Sequence, residues 1–211
     1  MIVQVQSARG AGADTDLTFL AERVAASNRI GEAFFTDQAA SIAACAAAMA
    51  DRFFAGGTLL VFGSGPHASD AQHNSVEFVH PVLPGCRALP ALSLTNDIAT
   101  VTGMLQGNSA VDVFAHQVRV LGRPGDMVLA FAHAPLHPSV TRGLDAAAAG
   151  RMLTVALTSG DMGADAERAE FGFHVPGTEL SVAHELHLAT YHMLWELVHI
   201  VLNHRGIGDP T

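Results

Sequence analysis

The stretch "TLLVFGSGPHASDAQHNSVEFVH", Thr58–His80, decides how the rest of the chain is read. Its first part is a short apolar run ending at Gly63; after Pro66 comes a mixed polar and apolar segment with no Gly or Pro. A run of that length bounded by glycine is a buried strand, and the segment after it has helical periodicity. Gly63, Ser64 and Gly65 then form a tight strand-to-helix turn. Such a turn aims backbone N–H groups and a helix N-terminus at one point. Three readings of it stay open: a cradle for a small anionic or polar ligand, a turn with no ligand, and a dinucleotide site. For the last, residues 63–68 fit G-x-G-x-x-A. Its acidic residue should follow roughly 20 positions on, and Asp97, at the end of the next strand, lies well beyond that. Pro66 also removes one N–H from the cradle.

Working outward, strands and helices alternate. "ALPALSL", "GDMVLAFA", "RMLTVALTS" and "FGFHVPG" read as strands. "DIATVTGML", "VDVFAHQVRVLG", "HPSVTRGLDAAAAG", the short "MGADAERA" and the long "SVAHELHLATYHMLWELVHIVLNH" read as helices. Near-continuous apolar strands alternating with helices indicate a parallel sheet covered on both faces. Two helices precede it, "LTFLAERVAASNRI" and "GEAFFTDQAASIAACAAAMADRFFA", the second ending at Gly56-Gly57. Residues 1–14 are expected to be flexible and 15–207 to form a single domain.

Composition removes several function classes. A formal charge of −9 disfavours nucleic acid and anionic membrane as partners. All 11 basic residues are Arg, so Schiff-base chemistry and a Walker lysine are excluded. The longest weakly polar run stops at Asp51-Arg52, short of a membrane span, and the N-terminus has no signal pattern. Two cysteines make no disulfide framework, and Cys45 reads as a small core residue; a cytoplasmic setting is expected.

His73 and Glu77 are four residues apart, one turn along a helix, where an imidazole and a carboxylate can meet one cation or simply pair at the surface. His80 can extend the group or cap the helix. The last helix carries His184, His187, His192 and His199. His184 and His192 are two turns and about 80° apart, and converge if that face meets another helix. His187 and His199 read as core or interface histidines.

"LLVFGSGPHASDAQH", "GRPGDMVLAFA", "LTVALTSGDMG" and "HELHLATYHML" together resemble the SIS (sugar isomerase) domain family, most closely its phosphoheptose isomerase branch, from about residue 15 to 203. That branch has a G-N-G-G-S loop, then D-A-x-H-x-x-x-E, and near its end Q-E-x-H-x-x-x-x-H. The chain matches at Gly63, Gly65, Asp70, Ala71, His73, Glu77, Glu185, His187 and His192. The resemblance implies a flavodoxin-like three-layer α/β/α sandwich with a parallel five-stranded sheet, a homodimer or homotetramer, and active sites between subunits. It implies aldose–ketose isomerisation of a sugar phosphate or related polyol, with Glu77 and His192 moving protons. It implies one Zn2+ per subunit on His73, Glu77, His184 and His192, where His184 replaces the family's Gln and is a better zinc ligand than an amide. Substrate contacts are expected from Gly63, Ser64, Gly65, His67, Asn96, His133 and His137.

The departures lie in the phosphate loops. The family's S-T-S-G-N-S loop aligns with "AHAPLHPS", Ala132–Ser139, where Ala132, Ala134 and His137 replace the serines. Pro66 and His67 replace a Gly and a Ser of the first loop, and Pro81 stands where an Arg is expected. Each lost charge-assisted contact is worth about 1.5–3 kcal/mol. Two functions stay open: a metal-dependent isomerase with an altered second phosphate loop, or a non-catalytic SIS module, binding, regulatory or accessory, that keeps the metal.

Overall fold

The computed structural model describes residues 13–206 except 83, 108, 164–166, 176 and 178. Twelve elements follow one another: α1 (Ala13–Phe54), β1 (Leu59–Gly63), α2 (His67–Val79), β2 (Ala91–Ser93), α3 (Ile98–Gln106), a 3-10 turn (Ala110–Asp112), α4 (Val113–Leu121), β3 (Met127–His133), α5 (Pro138–Ala149), β4 (Leu153–Ser159), β5 (Phe171–Val175) and α6 (Leu180–His204). The five strands are all parallel, in the order β2-β1-β3-β4-β5. The parallel sheet read from the strand pattern is therefore present, in the five-stranded flavodoxin-like order that the resemblance implies.

Strands β1, β3 and β4 are buried at nearly every position, which is why they read as unbroken apolar runs. On one face Leu60, Phe62, Val128, Ala130 and Ala156 pack with Val113, Phe114 and Val118 of α4 and Val140, Leu144 and Ala147 of α5. On the other, Phe131 meets Tyr191 of α6 at 5.7 Å between ring centroids, and Phe78 of α2 meets Phe53 of α1 at 5.5 Å. Asp126 ties the sheet's N-terminal edge together, accepting from the backbone N–H of Thr58 and of Arg123 at 2.8 and 2.7 Å.

The N-terminal helices are one helix, not two. Gly31 and the Ser27-Asn28 pair suggested a break, but no proline intervenes and the surrounding Ala, Leu and Glu residues outweigh a glycine worth about 1 kcal/mol. Helix α1 belongs to two compact units, one through Asp37 and one from Gln38. In the first, Phe34 and Phe35 pack edge to face, and Leu17, Phe19, Leu20 and Val24 are exposed. In the second, Ile42, Cys45, Ala46, Met49, Ala50 and Phe53 form the buried stripe. By length and composition the stretch Leu17–Phe54 could cross a membrane. Its longest uncharged run, residues 38–50, is well short of the ~20 residues a span needs. Helix α1 already covers residues 13 and 14; residues 1–12 and 207, and part of the expected short helix at 162–169, lie outside the described residues.

Candidate active site

After β1 the chain turns one way to β2 and then crosses to β3, so the carboxyl ends of β1 and β3 flank the point where strand order reverses. Every expected substrate contact lies at that edge. Gly63, Ser64 and Gly65 join β1 to α2, and His67 is the first residue of α2. Asn96 follows β2, His133 ends β3, and His137 is the N-cap of α5. Gly63 is required by close approach: a Cβ there would lie 2.6 Å from the His67 carbonyl oxygen. Gly65 has φ +61°, the left-handed region. Asp97 accepts from the backbone N–H of Ala99 and Thr100 as the cap of α3, so its carboxylate is engaged there.

Helices α2 and α6 run side by side in the same direction above this edge. Tyr191 Oη lies 2.8 Å from His73 Nδ1, and the Trp195 indole N–H donates to the Glu77 carbonyl at 2.8 Å. That register brings His73, Glu77 and His192 together, with one ligand atom of each within 4.8 Å of the others. His73 Nε2 is 3.1 Å from Glu77 Oε1.

His184 is not in this group. Its Nδ1 lies 2.9 Å from Asp70 Oδ2, and His67 Nδ1 lies 3.1 Å from the same oxygen. The reason is geometric. Both contacts between the parallel helices pair residues 118 apart, so His184 lies level with position 66, beside His67 and about one turn from Asp70. One expected four-ligand group is thus two three-residue groups.

Electrostatics favour ligand-ready imidazoles. Burial lowers the His192 pKa, against Glu77, which raises it, and with His73, which lowers it further. His192 Nε2 is buried without a hydrogen-bond partner among the described residues. Burial, then the carboxylates of Asp70 and Glu77, push the Tyr191 hydroxyl upward, so it stays a phenol. If Tyr191 accepts from Nδ1–H of His73, the Nε2 lone pair faces Glu77 at 3.1 Å, an arrangement that a cation between them stabilises. An orphaned imidazole nitrogen, a second imidazole and a carboxylate fit a zinc-type ion, with a coordination position left open.

The remaining histidines divide. His187 is fully buried and contacts the Thr158 carbonyl at 3.1 Å. His199 contacts the carbonyls of Trp195 and Arg87. Both are framework residues, as their apolar surroundings indicated. His80 caps α2 through its backbone N–H. His133 Nδ1 is 2.8 Å from Ser159 Oγ, while His137 Nδ1 accepts from the Ser139 N–H and contacts Ser139 Oγ. Asp70 was named from sequence only as a match to the family motif, with no ligand role, and Tyr191 and Trp195 were not singled out. Asp70 carried a signal, its i,i+3 spacing from His67; a hydroxyl in the apolar stripe of α6 was the signal for Tyr191.

A doubly wound parallel sheet is the architecture of many α/β families; among them this chain belongs to the SIS-domain family, which it matches over residues 24–159. Within the family its homology is to the phosphoheptose isomerases. The "Phosphoheptose isomerase" of Roseiflexus sp. is 32% identical over 185 residues, covering 88% of this chain and 94% of that protein. That of Desulfovibrio desulfuricans is 34% identical over 169 residues, 80% of each. The solved structure of a phosphoheptose isomerase from Francisella tularensis superposes with a TM-score of 0.81 at 25% identity, covering 88% of this chain and 98% of that one.

Proposed function

We propose that the protein is a metal-dependent aldose–ketose isomerase acting on a sugar phosphate or related polyol. The observation that carries this reading is the meeting of His73 and Glu77 from α2 with His192 from α6, within 4.8 Å, at the carboxyl edge of a sheet shared with phosphoheptose isomerases. Zinc, when bound by these residues, would supply a Lewis acid that polarises the carbonyl. Glu77 takes the proton from the carbon beside the carbonyl; the C–H electron pair closes a carbon–carbon double bond as the carbonyl oxygen is protonated. The same carboxyl returns the proton to the former carbonyl carbon, and His192 exchanges the hydroxyl protons. The turn at Gly63–His67 holds the polar end of the substrate. A homo-oligomer belongs to the same reading, supported by exposed Leu188, Met193 and Ile200 on α6; sedimentation of a stable monomer at micromolar concentration would remove it. So does a cytoplasmic setting.

The loop after β3 favours a second reading. Its His137 and Ser139 already bond to each other at the start of α5, and its other two former serine positions are Ala132 and Ala134. A module that keeps the metal site and has lost phosphate recognition would look the same. Sedoheptulose 7-phosphate turnover should therefore be weak. The test is deuterium incorporation from D2O beside the carbonyl of phosphorylated and unphosphorylated ketoses, using zinc-loaded protein and Glu77→Gln. Incorporation lost in Glu77→Gln supports the isomerase; no incorporation into any ketose by zinc-loaded protein selects the binding module.

A further inference from the structure

We propose that His67, Asp70 and His184 form a second site for a divalent transition-metal ion, sharing no ligand with His73, Glu77 and His192. The two imidazoles come from opposite sides, His67 from the first turn of α2 and His184 from near the start of α6. Both present Nδ1 to one oxygen, Asp70 Oδ2, at 3.1 and 2.9 Å. One ligand atom of each residue lies within 4.8 Å of the other two. Ligands about 2.0–2.2 Å from a tetrahedral zinc ion are about 3.3–3.6 Å apart, so a few tenths of an ångström of expansion admits the ion. The rings of His67 and His184 stack at 4.6 Å between centroids, 21° from parallel.

Burial sets this group apart from a surface cluster. The side chains of His67, Asp70 and His184 are 4%, 13% and 26% exposed, so the group is shielded yet open along the His184 side. Burial raises the Asp70 carboxyl, but the His67 hydrogen bond and the His184, His67 and His187 imidazoles outweigh it and hold it below the ordinary carboxylate value. Buried polar atoms nearby lack partners: among the described residues neither His67 Nε2 nor His187 Nδ1 has one. His187 lies 6.1 Å from His67 and 6.4 Å from His184 between ring centroids. With its Nε2–H donated to Thr158, His187 Nδ1 is a lone pair in want of a donor. A water carried on an ion in the cluster is a donor of that kind. Two imidazoles and one carboxylate suit zinc or a neighbouring first-row ion and not magnesium or calcium, which take oxygen shells. His67 and His184 are two of the positions at which the chain departs from the family motifs, so the pair is this chain's own.

The test counts metal and needs no turnover. Untagged full-length protein is stripped with chelator, checked by circular dichroism, and titrated with Zn2+ and separately with Co2+, reading equivalents by calorimetry and the cobalt absorption bands. Wild type should bind two equivalents. His67→Ala and the more exposed His184→Ala should each lose one and keep the other, and His192→Ala should lose only the remaining one. Two observations overturn the proposal: a single equivalent unaffected by His67→Ala, which leaves a hydrogen-bonded His–Asp–His group, or a single equivalent lost in both His67→Ala and His192→Ala, which merges the two groups. A single equivalent lost in His67→Ala but kept in His192→Ala supports this site and removes the metal from the proposed isomerase.

Discussion

Replacing Tyr191 with Phe removes one hydroxyl from the middle of α6 and leaves the ring that packs against Phe131. That hydroxyl is the 2.8 Å partner of His73 Nδ1, and Tyr191 is fully buried. Where that hydroxyl accepts from Nδ1–H it favours the tautomer with a ligand-ready Nε2, and its loss removes that preference. Partners of this kind are worth about 10–100-fold in metal affinity. The His73 side chain is 42% exposed, so water replaces part of the lost bond and the low end applies. The expected effect is a zinc dissociation constant about tenfold weaker, equal to about 1.4 kcal/mol. Competition against a chromophoric chelator measures it, and nitrogen-15 spectra should show His73 protonated at Nδ1 in zinc-loaded wild type. A change under twofold would refute the tautomer argument and leave Tyr191 as packing alone.

Other outcomes follow from the same contacts. Trp195→Phe loses the indole donor to the Glu77 carbonyl and some packing; about 2 kcal/mol should go, lowering the melting temperature by roughly 5 °C in a thermal scan. Burial, opposed by the hydrogen bond to Thr158, pushes the His187 pKa down from 6.5 to about 4. Between those values the unfolded chain binds the proton and the folded chain does not, so stability of the metal-free protein should fall by about 3 kcal/mol as pH drops through that window. Urea titrations from pH 7 to 4 should show the slope in wild type and a flatter one in His187→Gln. Gly63→Ala puts a Cβ 2.6 Å from the His67 carbonyl oxygen and must move the start of α2. It should lower the melting temperature and remove the zinc equivalent that depends on His67.

The sheet was legible because β1, β3 and β4, buried on both faces, are apolar runs too short for buried helices and bounded by glycine or polar residues. The start of the site was legible because Gly63 and Gly65 are demanded by the turn itself. The single helix α1 was not, since Gly31 looks the same in a helix interior as at a break. The His73–Glu77 pair was visible as a spacing within one helix. The partner of His184 was not, because it depends on how α6 lies against α2, and spacing along α6 alone is silent about direction. Given parallel helices, the His67–Asp70 pair one step back on α2 is the natural partner. That direction follows because α2 and α6 each come after a strand of one parallel sheet, β1 and β5, and each runs back along it.

Both groups of candidate ligands are split between α2 and α6, and the contact from Tyr191 to His73 spans 118 residues. During synthesis the first half of each group leaves the ribosome long before the second. A nascent chain that stops just before α6 has the turn, α2 and all five strands, yet neither group of candidate ligands is complete. If the proposed ions bind, loading separates finished chains from truncated ones, because only a chain that includes α6 completes either group.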